Sequence, residues 1–584
     1  MAGGEATMAV PVDWPRMPMA AVQGALTAPG APFEMDNVTI DGIETRIWKN
    51  APANLVQLIA LSRTHGERLA TIHEDQRVSY EAQYRAIATL AAGLRAMDIV
   101  KGDRVALAMR NMPEWPVAFF AIVAIGAVCV PLNAWWSPQE LAFGVNDSGA
   151  RMLIVDRQRH DRVGDYAAMP GLDAVLVARA RVPLSGIARR LEDMIGDCAG
   201  YATLPEVPLP DVEILPDDAA TIFYTSGTTG RPKGALGTHR NLSTNILSAA
   251  YVAARSYLRR GEMPPDPEPK VGLLVIPFFH VTACSASLMG ALAGGTTLVL
   301  MRKWDAGEAL ALIERERVQI TGGVPTIAWQ LLEHPDRANH DLSSLEVVQY
   351  GGAPSAPDLV KRIFDVFGAL PGNGWGMTET MATVTQHVGE DYLARPTSCG
   401  APVPVADLKI IGPDGVTEQP VGEVGELWAR GPMIVRGYWN APEETAQTFI
   451  DGWVRTGDLA RLDEEGFCYI VDRAKDIIIR GGENIYSIEV EDVLYAHPAV
   501  TDAALVGVPD PALGEVPAAV VHLCPGCEAT EAELQDFVRA RLAAFKVPVT
   551  VRFSDTVLPR NANGKILKSE LRKMFWTVAR VKVH

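Results

Sequence analysis

Tyr224-Thr225-Ser226-Gly227-Thr228-Thr229-Gly230-Arg231-Pro232-Lys233-Gly234 is the stretch on which the reading of this chain turns. Ahead of it, Ala219-Ala220-Thr221-Ile222-Phe223 is short, apolar and β-prone, the pattern of a buried strand. Behind it, His239-Arg240-Asn241-Leu242 opens a helical pattern, so a strand, a small-residue loop and a helix are expected. Glycines at 227, 230 and 234 let the backbone approach a ligand closely. The hydroxyls of Thr225, Ser226, Thr228 and Thr229, the loop N–H groups and Lys233 supply donors and charge for phosphate oxygens. The P-loop pattern G-x-x-x-x-G-K-[ST] does not fit. Counting from Gly227, its second glycine falls on Pro232, and Lys233 is followed by Gly234.

The eleven residues resemble the phosphate-loop signature of the adenylate-forming superfamily. That group includes acyl- and aryl-CoA synthetases, peptide-synthetase adenylation domains and firefly-type luciferases. Further strings follow in the order the resemblance requires. Asn373-Gly374-Trp375-Gly376-Met377-Thr378-Glu379 is similar to the family's G-[YW]-G-x-T-E pattern, with Trp where most members have Tyr. If ATP binds there, each residue type has a task. Trp375 offers a ring face to adenine, Asn373 an amide to the base's amino edge, and Thr378 a hydroxyl to the α-phosphate. Glu379 is a hard oxygen ligand for Mg²⁺, which takes few protein ligands beside phosphate oxygens. Gly351-Gly352-Ala353-Pro354 follows the strand-like Val347-Val348-Gln349-Tyr350, and the resemblance lays it against adenosine and the acyl chain. Asp458, in Thr456-Gly457-Asp458, suits the ribose hydroxyls because a carboxylate accepts two hydrogen bonds at once. Tyr469-Ile470-Val471-Asp472-Arg473-Ala474-Lys475 extends the match, with cofactor contact expected at its head. The resemblance makes Arg473 a ribose and phosphate contact, Lys475 a hinge, and Gly481-Gly482 the passage for a thiol arm. His280, after the apolar Val271–Ile276 run, resembles the residue gating the acyl pocket. Lys565, in Asn563-Gly564-Lys565, matches the family's C-terminal catalytic lysine. Arg436-Gly437-Tyr438-Trp439 resembles a motif that is mostly structural.

Composition agrees with a large globular protein. At 584 residues the chain exceeds one ordinary core. A net charge of −17 argues against nucleic-acid or anionic-membrane partners and requires local donors for any polyanion. Seven scattered cysteines suit a reducing compartment. Cys524-Pro525-Gly526-Cys527 lacks the second pair a zinc ribbon needs and reads as a turn containing two thiols. No secretory signal is visible. Trp115–Leu132 is uncharged and close to membrane-spanning length, but Pro116, Gly126 and Pro131 make it a buried helix, turn and strand. Peripheral membrane contact stays open.

The expected fold is α/β. Residues 1–50 form an irregular arm. Residues 51–473 form a large N-terminal domain with doubly wound sheets, and residues 474–584 a small α+β domain joined by a hinge. The resemblance implies a cytoplasmic ligase using ATP, Mg²⁺ and CoA. A carboxylate attacks the α-phosphate to give an acyl-adenylate, and a thiol then takes the acyl group. Small residues at Ala283, Ser285, Ala286, Gly351 and Gly352 point to a medium- or long-chain fatty acid. An aryl or cyclic acid is the alternative, as is loading of a carrier protein, although no carrier domain follows. A homodimer is one assembly open to it.

Overall fold

The structure is a computed structural model, and it describes residues 10, 13–225, 232–352, 357–524, 526–560 and 565–579. Two large sheets carry the first two thirds of the chain. In the first, strands lie side by side in the order 234–238, 219–224, 128–131, 104–108, 152–156, 174–178 and 188–190. They are parallel except for the hairpin that the first two make. In the second, 271–274, 297–300, 320–323, 347–351 and 370–377 form a parallel centre flanked by antiparallel strands. This is the doubly wound architecture expected. One core joins the sheets. Every residue of the helix Glu114–Ala124 is buried, with Trp115 stacked on Phe119 and Phe278 at 5.3 and 4.8 Å. A helix apolar all round belongs inside a large protein. Among the described residues no helix is long and apolar enough to cross a membrane. Local signals act as expected elsewhere. Ser137 caps Pro138–Ser148 in a capping box with Glu140 and with Pro138 in the first turn.

Two further sheets follow. Strands 407–411, 425–430, 449–450, 453–462 and 468–473 build an antiparallel one. Beyond residue 475, strands 478–480, 483–485, 500–510, 514–523 and 550–553 build the small α+β unit, with helices Ser487–Tyr495 and Glu531–Arg539 packed on it.

Four expectations need correction. The signature loop joins two antiparallel strands rather than a strand and a helix. Gly234–Thr238 intervenes before the helix His239–Arg259, which Thr238 and Asn241 cap reciprocally. The arm is not irregular. It holds a helix, Met19–Leu26, and a hairpin, Met35–Ile40 with Ile43–Trp48. Phe33 and Trp48 meet Tyr251 at 5.6 Å each, so tertiary aromatic packing supplies an order that its weak periodicity does not announce. The amphipathic pattern of 531–545 predicts a helix over that whole span, but the helix stops at Arg539. Cys524 and Cys527 are joined as a disulfide with a Cα–Cα distance of 5.3 Å, within disulfide geometry, while the five other cysteines are free and buried.

Candidate active site

The second sheet delivers the central string. Asn373 to Met377 lie on the strand Leu370–Met377, and the pairing with Ala382–Val388 slips between Trp375 and Gly376. A bulge there bends the strand and re-aims its side chains. Position 376 must be glycine, because a Cβ would lie 1.4 Å from the carbonyl oxygen of Ala382. The strand then turns through Thr378–Thr380, and Glu379 drops into a crevice where it is only 7% exposed.

Three contacts define the Glu379 environment. The Tyr438 hydroxyl donates to Glu379 Oε1 at 2.6 Å. Lys233 Nζ sits 4.8 Å from the centre of the Tyr438 ring. The positive charges of Lys565 and Lys233 both act on the carboxylate. Burial nevertheless raises its pKa, and the Tyr438 hydrogen bond opposes that rise. A buried carboxylate held by one neutral donor is costly unless a cation joins it. The residue therefore fits the Mg²⁺ ligand expected of it. Tyr438 reaches this place because residues 434–439 run along the signature hairpin. Arg436 N donates to Leu236 O at 3.1 Å, and Trp439 N to Gly234 O at 2.7 Å. Tyr438 is the functional candidate that sequence reasoning missed.

Asp458 is likewise 7% exposed. The Trp375 indole N–H donates to its Oδ2 at 2.8 Å, and Arg473 Nε lies 3.3 Å from Oδ1. Each oxygen keeps a lone pair for another donor. Lys565, from the far end of the chain, enters this crevice. Burial pushes its ammonium down to about 8, helped by Arg473 and Lys475 and opposed by Asp458 and Glu379. The residue as a whole keeps intermediate exposure, so the crevice is surrounded by protein yet reached by solvent. Lys475 is itself lowered by burial and by Arg473.

At the signature loop, Thr225 N donates to Lys233 O at 2.8 Å and Lys233 N to Thr225 Oγ1 at 3.3 Å, which closes the loop's mouth. Ser226, Gly227, Thr228, Thr229, Gly230 and Ala353 lie outside the described residues. Gly351 ends its strand, and Gly352 takes a φ of +77° that favours glycine. His280 follows the strand Val271–Leu274. Its Nε2 is closed to solvent without a hydrogen-bond partner among the described residues, and burial pushes its pKa down to about 3. It is a neutral ring with one unsatisfied nitrogen, which excludes a role as a cation.

Several candidates are spent elsewhere. Asn373 accepts from Gly374 N at 2.8 Å and donates to Ser398 O at 3.4 Å, so its amide serves the backbone. The Tyr469 hydroxyl donates to Asp463 at 3.1 Å. Ile470, like Trp375, packs against the cluster of Ile410, Leu427, Ala460 and Cys468. Of the small residues expected to leave room for an acyl chain, Ala283 and Ser285 are fully buried. Ser285 Oγ accepts from Asn245 at 3.0 Å.

Known proteins resemble this chain in sequence and fold. Residues 60–439 match the AMP-binding enzyme family and residues 489–565 the AMP-binding enzyme C-terminal domain. The chain is 38% identical over 510 residues to a feruloyl-CoA synthase of Amycolatopsis sp., covering 87% of this chain and 96% of that protein. It is 36% identical over 506 residues to the long-chain-fatty-acid–CoA ligase FadD13 of Mycobacterium tuberculosis, covering 86% and 94%. Among solved structures, the o-succinylbenzoate CoA synthetase of Bacillus subtilis in complex with ATP and magnesium superposes with a TM-score of 0.71. That match has 30% identity and covers 88% of this chain and 99% of that one. With both family regions matched in order, and with Glu379, Asp458 and Lys565 gathered in one crevice, the chain belongs to the AMP-binding enzyme family of adenylate-forming enzymes.

Proposed function

We propose that this enzyme is an AMP-forming acid–CoA ligase, acting on a hydrophobic carboxylic acid with ATP and CoA as co-substrates. One observation carries the reading: a lysine 186 positions beyond Glu379 lies within electrostatic reach of Glu379, Asp458 and Arg473. Adenylation brings an anionic carboxylate to an anionic α-phosphate, so the site must supply positive charge between them. Lys565 brings that charge. Asp458, held between Trp375 and Arg473, takes the ribose, and Lys233 with the signature loop takes the outer phosphates. Glu379 would hold Mg²⁺, which when bound neutralises phosphate charge. The carboxylate oxygen forms the new bond to phosphorus as pyrophosphate leaves. The thiolate of CoA then attacks the acyl carbon and expels AMP.

Residues 51–473 and 474–584 act as two lobes with Lys475 at the hinge, and rotation there exchanges Lys565 for Gly481-Gly482 between the two steps. The cytoplasm, with its ATP and CoA, is the site of action. For the acid, the likeness to a feruloyl-CoA synthase favours an aryl acid. A medium- or long-chain fatty acid is the second reading, supported by the likeness to FadD13. The deciding experiment is AMP release with CoA across ferulate, 4-coumarate, octanoate and palmitate. Turnover of the aryl acids alone supports the first reading, and turnover of the fatty acids alone overturns it. Absence of AMP with every acid, together with failure to bind Mg·ATP, would refute the ligase assignment.

A further inference from the structure

Two carboxylates, an ammonium and a hydroxyl are buried together beside the hinge segment. Asp472 lies on the strand Cys468–Arg473, whose pairing with Trp453–Leu462 places it in the antiparallel sheet of the large lobe, three positions before Lys475. Ser487 opens the helix Ser487–Tyr495 of the small lobe, and Glu491 lies one turn along it. Lys568 begins the helix Lys568–Ala579. Asp472 is 1% exposed, and Ser487 is fully buried.

Asp472 turns both oxygens toward the small lobe. Oδ2 accepts a short hydrogen bond from the backbone N–H of Ser487, and Oδ1 accepts from Ser487 Oγ at 3.0 Å. That same Oγ accepts from Lys568 Nζ at 2.6 Å, and Nζ reaches Glu491 Oε1 at 2.8 Å. Glu491 accepts from Leu505 N at 2.7 Å, on the strand Val500–Asp510. A serine hydroxyl has one proton to give. Here it gives that proton to Asp472 and accepts from the ammonium, so the chain of bonds runs one way, from Lys568 to Asp472. The carboxylate also sits at the start of a nine-residue helix, where the dipole favours an anion.

The members of this chain do not all belong to one lobe. Lys568 and Glu491 form an ion pair inside the small lobe, and that pair asks nothing of the large one. Asp472 belongs to the other side. Burial raises its pKa, and the charge of Lys568 is the largest influence opposing the rise, ahead of the hydrogen bonds from Arg473 and Ser487. A buried charge is costly unless partners meet it, and two of these partners arrive with the small lobe. Moving the lobe away would return Asp472 to water, so the fastening is strong in place and still releasable. It also acts close to the chemistry. Lys565 is three positions before Lys568, within about 10 Å of extended chain. On the other side of Lys565, Arg560 is tied to Asp502 of the small lobe at 2.6 Å.

We propose that Asp472, Ser487 and Lys568 form a latch between the lobes that positions Lys565 in the crevice for adenylation and opens before the thiol step. They are positioning residues, since none of them touches the reacting atoms. The inference rests on the two-step ligase reading. A contact made in one orientation only favours the step carried out there and holds back passage to the other. Weakening the latch therefore has different effects on the two half-reactions, whereas a contact that served folding alone would impair both.

The test measures the half-reactions separately in the full chain. Pyrophosphate exchange reads adenylation, and thioester formation from CoA and supplied feruloyl- or octanoyl-adenylate, chosen by the acid panel, reads the second step. Asp472→Asn keeps an acceptor for the Ser487 N–H and removes the charge. Ser487→Ala removes only the shared oxygen, and it decides the matter where the charge variant fails to fold. Each should lower exchange about tenfold and leave thioester formation from the adenylate at or above the wild-type rate. The double variant should be little worse than the worse single one, because both break the same link. Unchanged exchange in folded variants would overturn the latch, and so would an equal loss in both half-reactions. A wild type without pyrophosphate exchange would instead overturn the ligase reading on which the latch rests.

Discussion

Tyr438→Phe is the most informative single change at the nucleotide crevice. It deletes one oxygen and leaves the ring under Lys233 and the backbone bridge to Ala235 in place. The lost bond is the 2.6 Å donation to Glu379. A hydrogen bond to a charged group contributes about 1.5–3 kcal/mol, and a carboxylate only 7% exposed recruits a replacement water poorly. If Glu379 holds the metal, the apparent affinity for Mg·ATP should fall about ten- to hundredfold at neutral pH. The pH dependence carries a sign. Burial already raises the Glu379 pKa, and the Tyr438 hydroxyl opposes this by favouring the ionised form. Without the hydroxyl, the carboxylate takes up its proton at higher pH. The acid limb of adenylation should therefore move upward by about one to two pH units, at about 1.4 kcal/mol per unit. Pyrophosphate exchange measured across pH at several Mg²⁺ concentrations reads both effects, with a thermal melt to confirm folding. Wild-type exchange and an unmoved acid limb in a folded variant would refute the placement of Glu379 at the metal.

Lys565→Ala should slow adenylate formation by about 10²–10³-fold, as loss of one preorganised donor does. Near-normal pyrophosphate exchange would contradict its role. Burial pushes the ammonium of the free enzyme down to about 8, so kcat/KM of exchange for ATP should decline from that pH rather than from the ordinary lysine range near 10. A flat profile to pH 9.5 would count against it. Lys475→Pro should preserve the adenylation rate and block thioester formation in single-turnover assays, and equal loss of both steps would argue against a hinge there. Trp375→Phe keeps a ring and removes the indole donor from Asp458. KM for ATP should rise about tenfold, with a smaller effect on a ribose-modified nucleotide. An unchanged KM would show that Asp458 needs no such support.

The sequence strings are legible where residue type and chemistry coincide. A carboxylate after a glycine-bounded aromatic, or a lysine after Asn-Gly near the end of the chain, states its task in its own composition, and Glu379, Trp375, Asp458 and Lys565 meet in one crevice. What stays hidden is orientation. Asn373 and Tyr469 carry suitable groups, but strand alternation and local burial commit them to Gly374, Ser398 and Asp463. Tyr438 reads as packing because its partner, the hairpin strand Gly234–Thr238, is about 200 residues earlier, and no local period reveals that pairing. The same strand is five residues of small and mixed side chains, too short to show alternation, so the segment reads as an entry into the helix that follows.

The crevice gathers like charges at a cost that Asp458 and Glu379 offset only in part. Arg473 and Lys475 both act against the proton on Lys565, and Arg473 acts against that on Lys475, while burial weakens both lysines further. Asp458 already has Arg473 at one oxygen and Trp375 at the other. Glu379 is strained in the opposite sense, a buried carboxylate whose proton is held too tightly. A triphosphate with its metal would relieve both defects at once, its oxygens stabilising the protonated lysines and its cation the ionised glutamate. A neutral ligand would relieve neither, and an anion without a cation would leave Glu379 worse off. The pattern of destabilised charges therefore suits a metal-bound polyanion, whose arrival would favour the protonated form of Lys565.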